Sequence, residues 1–193
     1  IFGFLEITLL KDKPRHQRPV ETVVFDQKGR SRVEAEIKAR IKLGQPGYVV
    51  CPLIDEQPAN KSVLFSNERK AVNKELARLN IEFPDAKIGV IHGRIPSAER
   101  EETVNKLKNG QIDILLSTTV VEVGIDNPHA SWILIEEADR FGLSQLHQLR
   151  GRVGRGKTKS ICFLSNNNDS PLTKQRLEIL TKSQNGLEIA EAD

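Results

Sequence analysis

The chain has 193 residues, two cysteines, no methionine, a formal net charge of +3 and a pI near 8.9. That length suits one domain with a small appendage, and such a chain buries roughly 70% of its unfolded surface, so it needs no disulfide or metal staple. Mild basicity permits nucleic-acid binding without requiring it, and no apolar run approaches the ~20 residues of a membrane helix.

In chain order, TVVF (22–25) is the first strand-like run, followed by Val33, Ile37 and Ile41 at helical spacing. GYVVCPLI (47–54) is a second strand, and Val72, Leu76 and Leu79 mark a second helix. IGVI (88–91) leads into Pro96-Ser97, a helix start with Glu99, Glu101 and Glu102 near its positive end and Gly110 at its stop. DILLS (113–117), SWILIE (131–136) and SICFLS (160–165) are further strands, and Leu143, Leu146 and Leu149 give a helix before the last. The turn cluster 166–171 precedes a helix carrying Leu172, Leu177 and Leu180, which Gly186 is expected to end. Apolar runs this continuous suit strands buried on both faces. Their alternation with helices predicts a doubly wound parallel α/β sheet, followed by the start of a helical hairpin.

Cys51 and Cys162 sit within apolar runs and lack a C-x-x-C partner, which predicts buried thiols in a reducing, cytoplasmic compartment. The start lacks the basic region and cleavage site of a signal peptide, and a chain opening on Ile1 reads as an internal fragment. His92-Gly93-Arg94, Thr118-Thr119, Pro52 and Asp55 follow strands. In a parallel sheet they should gather at the carboxyl edge, where ligands commonly bind, although loops after strands are polar in any case.

Gly151, Gly156, Lys157 and Thr158 fit G-x-x-x-x-G-K-[ST], the phosphate-cradling loop. Such a loop needs a strand before it and a helix after it, whose N-terminus receives the phosphate. Here the order is reversed, helix before and strand after, so the match is expected to be fortuitous. Arg150, Arg152, Arg155, Lys157 and Lys159 crowd the same ten residues, and Lys11, Lys13, Arg15 and Arg18 form a second basic group. A charge run is ordinarily a solvated face.

STTVVEVGIDNP (117–128) and FGLSQLHQLRGRVGRG (141–156) resemble motifs V and VI of superfamily 2 helicases. VCPLIDE (50–56) and IGVIHGRIPSAER (88–100) resemble the motif IV region and the segment after it, and NGLEIAEAD (185–193) resembles the continuation beyond motif VI. The resemblance covers nearly the whole chain. It points to the RecG family of ATP-dependent DNA helicases, with the transcription-repair coupling factors sharing the motif VI block.

The resemblance implies a RecA-like helicase C-terminal lobe at 20–166. Residues 1–19 would be the end of lobe one and the linker, and 167–193 the start of a hairpin coupling hydrolysis to translocation. ATP and Mg2+ would be bound mainly by the first lobe, which carries the true phosphate loop. Arg152 and Arg155 would be arginine fingers, with Gln148, Gly151, Gly124 and Asp126 at the nucleotide. Thr118, Thr119, His92, Gly93 and Arg94 would hold the DNA backbone. His147 is expected to pack within its helix, Glu122 has no assigned role, and no metal ligand is expected. The implied partners are branched DNA, the N-terminal lobe and a wedge domain, in the bacterial cytoplasm and with no membrane. Alone, the lobe should not turn over ATP. The competing readings are a repair-coupling translocase, a nucleic-acid-binding module without ATPase function, and a small P-loop phosphotransferase.

Overall fold

A computed structural model describes residues 19–52, 61–93, 95–118 and 127–193, with 61–69 described through their backbone. In chain order the elements are β1 (Glu21–Phe25), α1 (Arg30–Lys42), β2 (Gly47–Val50), α2 (Lys61–Glu82), β3 (Ile88–Ile91), α3 (Ser97–Lys108) and β4 (Ile114–Ser117). After these come β5 (Trp132–Ile135), a 3-10 turn (Ala138–Arg140), α4 (Leu143–Arg150), β6 (Ile161–Ser165), α5 (Pro171–Lys182) and α6 (Gly186–Glu191). The six strands form one parallel sheet in the order β1-β6-β5-β2-β4-β3, as the near-continuous apolar runs predicted.

Alternate strand residues feed two cores, because successive side chains leave a strand on opposite faces. Trp132, Leu134, Phe163, Val49 and Leu116 meet Val33 and Ile37 of α1 and Val72 and Leu79 of α2 on one face. Ile133, Ile135, Cys162, Leu164 and Leu115 meet Val104 and Leu107 of α3, Leu143, Leu146 and Leu149 of α4, and Leu177, Leu180 and Ile189 of the last two helices on the other. The sheet is therefore wound on both faces. Cys51 and Cys162 are buried free thiols whose pKa burial pushes up to about 12. Among the described residues no helix is long and apolar enough to cross a membrane.

Local chemistry explains most element ends. α3 begins at Ser97 behind Pro96, and Gly110, at φ 69°, takes the left-handed position after it. The Gly110 and Gln111 N–H groups return to the Leu107 and Lys106 carbonyls at 3.2 and 2.8 Å, a paired closure of the helix end. One expectation in the tail needs correction. Gly186 does not end α5; the helix stops at Lys182, and Gly186 opens α6. The cause is Asn185, whose side chain caps the new helix by accepting from the Leu187 N–H. Leu172, Leu177 and Leu180 all lie on α5, as expected, with the last two buried and Leu172 77% exposed.

An ion cluster that the hydrophobic pattern did not announce closes the carboxyl end of β5. Glu136 is 7% exposed and accepts both guanidinium N–H arms of Arg30, at 2.8 and 2.7 Å, and one from Arg78 at 2.9 Å. Arg30 also reaches Ser165 Oγ at the end of β6 (3.0 Å), and Arg78 reaches Glu34 and Glu75. The cluster thus ties α1, α2, β5 and β6 together at one edge. Burial alone would raise the Glu136 pKa, but the Arg30 hydrogen bonds and the charges of Arg30 and Arg78 outweigh it and hold the carboxyl below its ordinary value.

Removing one member of such a cluster leaves buried charge unpaired, so Glu136→Gln should cost roughly 3–5 kcal/mol in denaturant unfolding at neutral pH. The folded pKa lies below the ordinary value of 4.5, so the carboxylate's stabilisation is complete above that value and is lost as pH falls through the folded one. The gap between wild type and Glu136→Gln should therefore close on acidification; a gap independent of pH would contradict the assignment.

Candidate functional site

Because every strand runs the same way, the residues that follow strands share one edge. Cys51 and Pro52 leave β2, His92 and Gly93 leave β3, and Thr118 leaves β4. These three strands are neighbours, with Ser117 in register with both Val50 and Ile91. The Cys51 N–H bonds the Ser117 carbonyl at 3.0 Å. His92 is half-buried and Gly93 exposed, in a turn closed by the Ile95 N–H on the His92 carbonyl (3.1 Å). Thr118 is fully buried and its carbonyl accepts from Ser117 Oγ at 2.8 Å, so its hydroxyl meets a ligand only if uncovered. Arg94, Thr119, Gly124 and Asp126 lie outside the described residues, as do Glu122, Asp55 and residues 1–18.

The motif VI residues are on the opposite edge. α4 leaves the carboxyl end of β5, runs back over the sheet on its three buried leucines, and delivers residues 151–160 to where β6 begins. Gln148 is exposed on this helix, Arg152 is half-buried and Arg155 is exposed, with its Nε donating to the Gly151 carbonyl at 3.2 Å. Gly154 turns the loop at φ 86°, a conformation that disfavours a side chain. Gly156 fits directly against the Pro128 carbonyl, in space that a Cβ would occupy. The end of the motif V segment and the exit of motif VI are therefore in contact.

The glycine–lysine string runs from helix to strand, as predicted, with no helix N-terminus after Thr158 to receive a phosphate. What the loop offers is different. Residues 151–160 carry Arg152, Arg155, Lys157 and Lys159 and no acid, and the three last-named are exposed. This donor set suits phosphate brought by another surface. It has no carboxylate for a metal ion.

Arg150, one residue before this loop, belongs to the structure and not to the exposed array. It is 4% exposed and donates to the Leu180 and Ser183 carbonyls at the end of α5 (2.6 and 3.0 Å) and to Thr22 Oγ1 (3.4 Å). Its Nη2 lies 2.8 Å from His147 Nδ1, so His147 is occupied within its own helix. Burial lowers the Arg150 pKa. At the other end of α4, Asp193 accepts from the Leu143 and Ser144 N–H groups at 2.8 and 3.2 Å. The first of these bonds is the main cause of its lowered pKa. Sequence reasoning singled out neither contact, since both pair residues at least thirty positions apart.

Comparison with known proteins fits this geometry. The helicase conserved C-terminal domain model matches residues 47–157. An ATP-dependent DNA helicase RecG from Synechocystis sp. is 39% identical over 193 residues, which is all of this chain and 22% of that protein. A second, from Pasteurella multocida, is 37% identical over 195 residues, again all of this chain and 27% of that one. A solved structure of RecG bound to a three-way DNA junction superposes with a TM-score of 0.76 at 34% identity, over 93% of this chain and 22% of that one. The chain thus spans about a quarter of the length of the curated relatives it matches.

The geometry separates the arginines by what their loss should do to stability. Arg150→Met strands the α5 carbonyls and should cost roughly 1–3 kcal/mol, whereas Arg155→Ala on the surface should stay within about 0.5 kcal/mol of wild type. Denaturant midpoints of the two variants test this; equal losses would contradict it.

Proposed function

The chain belongs to the helicase conserved C-terminal domain family, and from that premise we propose that it is the second motor lobe of an ATP-dependent DNA helicase or translocase acting on branched DNA. The observation that carries the proposal is the acid-free arginine loop at the amino edge of the sheet, built on α4 and pressed against the end of motif V. Support for the DNA class comes from relatives named ATP-dependent DNA helicase RecG and from a RecG structure bound to a three-way junction.

In this reading ATP and its magnesium are held mainly by the first lobe, on the phosphate loop that this chain lacks. Arg152 and Arg155 reach the γ-phosphate when the lobes close. Charge then spreads over the phosphoryl oxygens, and a guanidinium in a water-poor cleft stabilises it. Such a finger is worth about 10³–10⁵ in rate, or roughly 4–7 kcal/mol of barrier. Its planar fork meets two oxygens at once, which lysine cannot do. Gln148 and Gly151 border the nucleotide, with Gly124 and Asp126 of motif V at the ribose.

His92, Gly93, Arg94, Thr118 and Thr119 hold the DNA backbone from the other edge. Phosphate contacts position a strand without reading its sequence, which suits a motor moving over any sequence. Thr118 must be uncovered for this, so its contact belongs to the DNA-bound state. The N-terminal lobe and a wedge domain of the same protein complete the machine, in a bacterial cytoplasm.

In the longer protein, Arg155→Ala should leave ATP and DNA binding within a few-fold while lowering DNA-stimulated hydrolysis by about 10³ or more. Lys157→Ala should matter far less. Hydrolysis by Arg155→Ala near the wild-type rate would show the finger assignment to be wrong.

A further inference from the structure

We propose that Arg40, a residue of α1 outside all the helicase motifs, is the positioning residue that locks the arginine-bearing loop to the end of the motif V segment. The proposal rests on the reading of Arg152 and Arg155 given above and adds what holds them in place. Arg40 Nη1 donates to the Lys159 carbonyl at 3.0 Å and lies 3.4 Å from Ser131 Oγ, while its Nε donates to Glu36 Oε1 at 2.8 Å. Its side chain is 15% exposed. The cation is turned inward onto the Lys159 carbonyl, across 119 residues of sequence.

The end of α1 supplies a second hold on the same point. The Gly44 and Gln45 N–H groups close the helix on the Ile41 and Arg40 carbonyls at 2.9 and 3.0 Å, a paired closure that fixes the next residues. Gln45 Oε1 then accepts from Ser131 Oγ at 3.0 Å, and its carbonyl accepts from Trp132 Nε1 at 3.0 Å. Ser131 is thus bracketed by Arg40 and Gln45. The Ser131 carbonyl accepts from the Ile161 N–H at 3.0 Å, and Gly156 abuts Pro128. Residues 127–131 and 156–161 are in this way joined to each other, with the Arg40 guanidinium reaching both and Gln45 adding a hold on Ser131.

The loop needs such a fastening. Arg152, Arg155, Lys157 and Lys159 put four cations into eight consecutive residues, and like charges this close repel one another. α4 fixes the near end of the loop and Arg40 the far end. A guanidinium serves Glu36, Ser131 and Lys159 together, where a lysine would serve one or two of them.

The test uses the longer protein, comparing Arg40→Ala, Arg40→Lys, Arg155→Ala, the double variant Arg40→Ala/Arg155→Ala, and Ile37→Val. Ile37 is fully buried on the same helix, in the core between α1 and the sheet, so that variant is a control for loosening α1. Displacing a reacting group by about 1 Å costs on the order of 100-fold, so Arg40→Ala should lower DNA-stimulated kcat by about 10- to 100-fold. A positioning role leaves KM for ATP and DNA affinity within about twofold. Arg40→Lys should stay well below wild type, Ile37→Val should keep its kcat despite a lower thermal midpoint, and Arg40→Ala should cost less in the Arg155→Ala background than in wild type. Wild-type kcat in Arg40→Ala or Arg40→Lys would overturn the proposal, as would losses in Arg40→Ala and Ile37→Val that simply follow their thermal midpoints. Wild-type turnover in Arg155→Ala would instead overturn the underlying reading of the loop.

Discussion

The amino edge of this molecule depends on how one short helix is held. α4 has eight residues, too few to be stable by itself in water, yet it carries Gln148 and feeds directly into Arg152. Its three leucines bury it on the sheet, and its ends are fixed by groups from distant parts of the chain. Asp193 receives the N–H groups at its start, and Arg150 at its end is taken up by the last carbonyls of α5. Taking a guanidinium out of water costs several kcal/mol, and Arg150 is compensated by carbonyls at a helix C-terminus, where the helix dipole favours a cation. The end of α5 and the beginning of the arginine loop therefore share one side chain. Neither can shift without the other losing hydrogen bonds.

A second constraint is the parallel sheet itself. Each strand leaves at the carboxyl edge, and the chain must cross the molecule before the next strand starts. The stretch between β4 and β5 makes that crossing from Thr118, beside His92 and Cys51, to Pro128, against Gly156. Of the proposed contacts that the structure describes, His92, Gly93 and Thr118 lie at one edge, and Gly151, Arg152 and Arg155 at the other. The Glu136 cluster fixes the carboxyl edge, and the Arg40 contacts fix the amino edge.

Much of this was legible in the sequence, for physical reasons. Strands buried on both faces must be apolar throughout, so TVVF, GYVVCPLI, IGVI, DILLS, SWILIE and SICFLS each marked a strand, although β2 stops at Val50 and β5 at Ile135, short of the ends of their runs, and α4 was visible in its leucine spacing. The false phosphate loop could be rejected from element order alone. Other features were not legible. Glu136 gave a faint signal, an acid closing an apolar run, but its partners Arg30 and Arg78 are 106 and 58 residues away. Arg150 looked like one more member of a basic run, because composition cannot distinguish a cation aimed at a helix end from one in water. Gly186 was misjudged because Asn185 caps forward into α6, and Arg40 has no motif to mark it.

The central claim is that this lobe contributes arginines to a phosphate held elsewhere and does not cradle one itself. Calorimetric titration of Mg-ATP into the 193-residue chain tests it most directly. Binding weaker than about 1 mM, some 4 kcal/mol or less of standard free energy, is the expected result, unchanged by Lys157→Ala. Micromolar binding that Lys157→Ala abolishes would make the glycine–lysine string a true phosphate loop and contradict the account.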